Sequence, residues 1–213
     1  MTNAHYHRGG ATCLSLCGAE YRFFGVHPWS ADGVDVAAAV ADIRRSVETD
    51  PAAGVGEVGL DRLKSKCVSS AQRELFLEQL RMAADARRPV VLHGAKCWGD
   101  VVKCVKPFVP RIPALLFHGF SRSDGLLPEM FAMNGFVSVG KAVLNDHAVN
   151  YRKLVSGLPP ERLLVETDDD SDDDGAERNA LLAQIFAKVS TLTGVTESQL
   201  DENARRFVAS IMR

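Results

Sequence analysis

The stretch SSAQRELFLEQLRMAADARRPVVLHG, residues 69–94, decides the fold. Ser69 followed three residues later by Gln72 reads as a helix-opening capping box, and Leu75, Leu80, Ala83 and Ala84 mark one apolar face. Pro89 cannot continue a helix and biases the residue before it toward extended backbone, so it stops the helix and starts a strand. Residues 90–92 form the short unbroken apolar run of a strand buried on both faces, and that run leads directly into His93. Helix, tight turn, buried strand and a ligand-type side chain at the strand's end make one unit of a parallel α/β barrel.

The same rhythm extends in both directions. Strands are expected near residues 2–6, 21–26, 53–58, 89–93, 113–118, 136–139 and 162–167, with an eighth, weaker piece at 13–16. Helical patterns fall near 32–48, 70–87, 96–106, 124–134, 146–156, 176–193 and 197–211, the last opened by a second capping box, Thr196 with Gln199. About eighteen residues separate His7 from the GVHP turn, too few for a strand–helix–strand crossover. The expected fold is therefore a TIM-barrel-like α/β domain over residues 1–213. It should be distorted, with seven or eight parallel strands and a shortened N-terminal unit.

Composition narrows the function. With 213 residues the chain can bury about 70% of its unfolded surface, so it needs no metal staple to fold. A net charge of −2 argues against a broadly basic nucleic-acid-binding face; a polyanion would have to be gripped locally. The five cysteines are odd in number and lack paired CxxC spacing, which reads as reduced thiols and a cytoplasmic protein. No run of about 18 apolar residues and no charged-then-apolar leader suggests a membrane span or secretion. The acidic segment DDDSDDDG, residues 168–175, reads as a solvated loop. Oligomeric state is not legible.

Six ligand-type residues accompany the strand ends: His5 and His7, then Glu57, His93, His118 and Asp168. His5 and His7 alternate along one strand, so both point to the same side. Four imidazoles and two carboxylates at one end of a barrel describe a site for divalent metal, zinc or manganese by ligand type, with magnesium preferring oxygen. Glu57, between glycine-rich turns in GVGEVGLD, is the carboxylate best placed to bridge two ions. Each histidine alone reads more readily as a core or turn residue or an accident of sequence, and Asp168 also as part of an acidic helix N-terminus; the set carries the reading. His27, Lys96 and Arg122 sit on loops at the same end and are candidates for contacting a phosphate, against the plainer reading of a loop histidine and solvated cations. Trp29 and Trp98 lie close to His27 and His93; stacking on bases is one use, rim or core packing the expected one.

Taken together, these segments resemble the TatD family of metal-dependent deoxyribonucleases. NAHYH is similar to the family's DxHxH opening, GVHPW to GxHPH and GEVGLD to GExGLD. QRELFLEQLRMAADARRPVVLH, HGFS and LLVETD resemble its QxxxFxxQLxLAxxxxxPVxxH, HxFS and LLxETD segments. The departures are Asn3 for the leading Asp, Trp29 for the second His of GxHPH, Ala95 where many members carry Arg, Arg122 for Gly, and the acidic run after ETD.

The resemblance implies two divalent metal ions. One would be held by His5, His7, Asp168 and a shared Glu57, the other by Glu57, His93 and His118. It favours Asp168 over Asp169 and Asp170, and gives Glu57 and Asp168 catalytic roles, with Asp168 moving a proton for a metal-activated water. The implied activity is hydrolysis of phosphodiester bonds in single-stranded DNA or RNA, or at their ends. The alternatives are hydrolysis of a smaller ester, amide, lactone or D-aminoacyl-tRNA by the same site, or a non-catalytic scaffold.

Overall fold

A computed structural model describes residues 1–63, 66–121, 124–170 and 175–212. Eight strands form one sheet in chain order: β1 (Asn3–Arg8), β2 (Ala11–Leu16), β3 (Ala19–Phe24), β4 (Gly54–Asp61), β5 (Val90–Ala95), β6 (Leu115–Phe117), β7 (Gly135–Val139) and β8 (Leu163–Val165). The helices are α1 (Val36–Thr49), α2 (Ser70–Ala86), α3 (Trp98–Val105), α4 (Leu127–Ala132), α5 (Val149–Ser156), α6 (Ala176–Thr193) and α7 (Glu197–Val208).

From β3 to β8 every neighbouring pair is parallel. The shortened N-terminal unit is a meander: β2 pairs antiparallel with both β1 and β3. Seven strands thus share one direction and β2 opposes them. The turns at Gly9–Gly10 and Cys17–Gly18 all have positive φ, which tight hairpins require, and they replace a crossover helix for which the chain has no room.

The barrel nearly closes where the chain beyond β8 runs beside β1. Asp168 N donates to His5 O at 3.1 Å and His7 N to Asp169 O at 2.7 Å. Buried Asn3 spans this seam with its side-chain amide. Its Nδ2 donates to Thr167 Oγ1 at 2.9 Å, and its Oδ1 accepts from Thr167 N at 3.2 Å.

Strand parity separates two apolar layers. Val90, Leu92, Leu115, Phe117, Val137, Leu163 and Val165 pack outward into the helix-facing core. Val91, Leu116, Phe136 and Leu164 belong to the inner cluster with Leu14, Leu16 and Phe23, closed from below by Ala204, Phe207 and Val208 of α7. Phe207 stacks on Phe23 with ring centres 5.7 Å apart. The residues two places further along these strands are His93, His118, Ser138 and Glu166, so the next layer up is polar.

Both proposed capping boxes are half-formed. Ser69 accepts from Gln72 N, but the Gln72 side chain instead accepts from Asp61 N at 3.1 Å. Thr196 accepts from Gln199 N, while Gln199 Nε2 donates to Asn203. None of the five cysteines is joined in a disulfide, and burial pushes the Cys13 and Cys97 thiols up to about 11. Among the described residues no helix is long and apolar enough to cross a membrane.

The seam makes a first prediction. Asn3→Ala leaves the buried Thr167 N–H without its partner and should cost about 1–3 kcal/mol in urea denaturation. A loss below about 0.5 kcal/mol would show that these bonds do not hold the barrel shut.

Candidate metal centre

Three local features aim the side chains. The β4–β5 register shifts between Val55 and Val58, and both of these valines face the outer core. That extra residue re-aims Glu57, which parity with Val55 would otherwise turn outward, to the barrel mouth. Glycines let β4 approach β5 this closely: a Cβ on Gly59 would lie 2.0 Å from His93 O, and one on Gly56 2.7 Å from Val91 Cβ. At the seam Asp168 adopts φ 51°, a left-handed conformation that Asp tolerates, and its carboxylate faces β1.

Glu57, only 6% exposed, offers one oxygen to each half of the site. Oε2 lies 3.4 Å from His5 Nε2 and 3.7 Å from His7 Nε2. Asp168 Oδ1 is also 3.4 and 3.7 Å from these nitrogens, which are 3.3 Å apart. Ligand atoms about 2.0–2.2 Å from a tetrahedral zinc lie about 3.3–3.6 Å from one another. The spacings of 3.3–3.7 Å around the two nitrogens are close to those of such a cage.

The other oxygen, Oε1, lies 2.5 Å from both His93 Nδ1 and His118 Nε2, themselves 3.2 Å apart. These are hydrogen-bond distances, so this half must widen by most of an ångström to admit an ion. The halves touch through the stacked rings of His5 and His118, 4.1 Å between centres. His5, His7 and Glu57 could hold a metal, as could His5, His118 and Asp168, or His27, Glu57 and His93.

The fold therefore brings together all six residues singled out as candidate ligands. His27 joins them more closely than a phosphate-contacting loop residue would, with Nε2 3.6 Å from Glu57 Oε1. Lys96, exposed and at φ 57°, lines a cavity of about 830 Å³ with Arg62, Lys103, His93, His118 and Asp168. A second cavity of about 900 Å³ adjoins it and takes in His7, His27, Trp29 and Glu57. Arg122 lies outside the described residues, as do residues 171–174 of the acidic run. Asp169 is held by Arg178 Nε at 2.9 Å, away from the His5–His7 pair that Asp168 faces. Trp98 is buried against Phe117 and Phe120, so of the two tryptophans only Trp29 is at the rim.

Two buried carboxylates escaped the sequence reading although both lie in quoted motifs. Asp61 Oδ2 is 3.0 Å from His93 Nε2 and accepts from Trp29 Nε1 at 2.7 Å. Glu166 accepts from Gly119 N and Ser138 Oγ, with Oε1 3.6 Å from His118 Nδ1. Each sits behind an imidazole, where a carboxylate fixes the ring's orientation. The inward parity of Glu166, two residues beyond Leu164, was the available signal.

Charges in the cluster shift one another. Burial works to raise Glu57, but the imidazoles of His118, His5 and His93 outweigh it and hold Glu57 well below the carboxylate range. Asp168 is held down against burial by His5 and His7. Burial works to lower His118 and His5, yet the facing carboxylates raise both, His118 strongly. Burial pushes His27 down to about 4.

Residues 13–211 match the family model described as TatD related DNase. The chain belongs to this family. The match begins past His5 and His7, so the opening segment of the TatD resemblance rests on the convergence of those two histidines with Glu57 and Asp168. One relative is the 3'-5' ssDNA/RNA exonuclease TatD of Klebsiella pneumoniae (strain 342), 30% identical over 196 residues, covering 85% of this chain and 74% of the relative. Another is the uncharacterized metal-dependent hydrolase YabD of Bacillus subtilis (strain 168), 29% identical, covering 70% of this chain and 58% of the relative. Among solved structures, the TatD homolog YJJV of Escherichia coli superimposes with a TM-score of 0.71 at 23% identity, over 90% of this chain and 76% of that one. An uncharacterized amidohydrolase from Saccharomyces cerevisiae gives 0.68 at 18% identity, over 90% and 80%. These likenesses confirm the TatD-like α/β barrel.

Without metal, His118 should titrate above the ordinary histidine value of 6.5. Glu166→Gln removes one of the two facing carboxylates and should lower that midpoint, followed by NMR of the imidazole carbons. A wild-type midpoint at or below the ordinary value would contradict the charge arrangement.

Proposed function

We propose that the protein hydrolyses phosphodiester bonds at the ends of single-stranded nucleic acid, with divalent metal ions held at two half-sites that share Glu57. That it is a hydrolase follows from its family. The observation that carries the finer reading is the division of Glu57: Oε2 toward His5 and His7, Oε1 toward His93 and His118. Two neighbouring cations need an anion between them, and a buried carboxylate held ionised supplies it.

His5, His7 and Asp168 would complete one half-site, His93 and His118 the other. Bound there, the ions would supply Lewis-acid polarisation of the phosphodiester and an acidified water. The chain's own groups do the rest. Asp168, on the mouth side and partly exposed, is placed to take a proton at its carboxylate. Asp61 holds the ring of His93 by a hydrogen bond, and Glu166 faces His118 Nδ1 at 3.6 Å. Lys96 and Lys103 line the cavity beside Arg62, which is paired with Asp100 at 2.5 Å; two such lysines on a protein of net charge −2 suit a chain end better than a long duplex. Four imidazoles favour zinc or manganese over magnesium. The relatives named as an ssDNA/RNA exonuclease and a metal-dependent hydrolase support the same reading.

The test is end-labelled single-stranded DNA with manganese or zinc. Stepwise shortening should be abolished by a chelator and by Glu57→Ala, and Asp168→Asn should slow it by roughly 10²–10⁴-fold. Metal-loaded wild type that leaves DNA and RNA intact sinks the phosphodiesterase reading and turns attention to small esters and lactones.

Metal binding should also release protons. The facing carboxylates raise His5 and His118 above the ordinary histidine value in the metal-free fold, which favours the protonated imidazoles that an ion must displace. Affinity should therefore rise with pH. Calorimetric zinc titrations in buffers of different ionisation enthalpy would reveal the release, and buffer-independent heats would contradict it.

A further inference from the structure

Trp29 is 54% exposed, while the other tryptophan, Trp98, is 4% exposed. Exposure on that scale calls for a reason, since a large aromatic face left in water forgoes the free energy of burial. The indole is not loose. Its Nε1 donates to the buried Asp61 at 2.7 Å, and its ring meets His27 edge-on, 4.8 Å between centres. Its backbone N–H donates to His27 Nδ1, in a short turn begun by Pro28. Edge and backbone are fixed while more than half of the residue stays open to solvent. Leu63, 61% exposed, is tied to the same carboxylate, its N–H donating to Asp61 Oδ1 at 2.5 Å. Asp61 thus links the indole of Trp29 and the backbone of Leu63 to the imidazole of His93, which itself touches Glu57.

Resting on the phosphodiesterase reading, we infer that Trp29 is a platform on which an unpaired nucleobase next to the scissile phosphate stacks, making the enzyme select ends that carry a base. The phosphate would be drawn to the metal-binding residues; the flat, uncharged ring of Trp29, which lines one cavity with His7, Glu57 and His93, suits a flat, uncharged partner. A base offers a π-face whatever its identity, so such a platform discriminates base from no base rather than one sequence from another. Trp29 is pre-organised, so little side-chain freedom is lost when the base docks. The family's GxHPH histidine, absent here, gives way to a larger stacking surface.

The experiment compares two single strands, identical except that one carries an abasic tetrahydrofuran residue at the terminus being degraded. The ratio of kcat/KM values, base over abasic, should be roughly ten- to a hundredfold for wild type. Trp29→Phe loses the bond to Asp61 but keeps an aromatic face, and should retain most of the ratio. Trp29→Ala should bring it close to one. A wild-type ratio near one overturns the inference, as does a ratio that Trp29→Ala leaves intact; in the latter case Trp29 serves only to position His93 through Asp61.

A second readout needs no turnover. In chelator-treated protein, oligothymidylate should quench the emission of Trp29, and Trp29→Phe, which leaves only the buried Trp98, should show no quench. Wild type that cleaves neither strand brings down the phosphodiesterase reading. The quench then decides the platform alone, and its absence overturns it.

Discussion

The candidate site depends on one seam of hydrogen bonds, where β1 lies against the residues that follow β8. His5 and His7 come from the start of the chain and Asp168 from near its end, and backbone bonds from Asp168 to His5 and from His7 to Asp169 align them. Asn3 reinforces the seam from within through Thr167. If the barrel stood open here, His5 and His7 would lose Asp168, the carboxylate that faces both of them from the far side of the seam. The closure also gives the antiparallel β2 its purpose, since the short meander carries β1 to the seam without a crossover helix.

Above the apolar plug the barrel interior changes character in a single step. Val91, Leu116, Phe136 and Leu164 pack on α7, and the next inward residues are His93, His118, Ser138 and Glu166. A dry floor directly beneath ionised groups strengthens each charge interaction among them. This explains why the carboxylates stay ionised although buried, and why the histidines between them are driven toward the protonated form.

Much of this was legible in the sequence because apolar runs ending in histidine survive as a one-dimensional signal. All eight strands, including the weak one at 13–16, and the convergence of six ligand-type residues follow from it. The direction of β2 did not, because a short apolar run carries no sign of its polarity. The aim of Glu57 depends on a register shift between β4 and β5, a property of a strand pair rather than of either strand. Asp61 and Glu166 were overlooked as next-door carboxylates in motifs read for their more prominent members. The half-formed capping boxes have the same origin: Gln72 is drawn away by Asp61 N, a competitor that only the tertiary fold supplies.

The seam also sets an order on biosynthesis. Glu57 and His93 sit on β4 and β5 and His118 just beyond β6, strands that pair as neighbours, so their half of the site is encoded in one continuous portion of the chain. The half containing His5 and His7 awaits residue 168, and the floor awaits Phe207 on the final helix. During vectorial synthesis the outer edge of β1 must therefore remain unpaired until residues 167–169 have emerged. Contacts this distant in sequence slow folding. The antiparallel partner β2, made immediately after β1, shields its other edge during that wait.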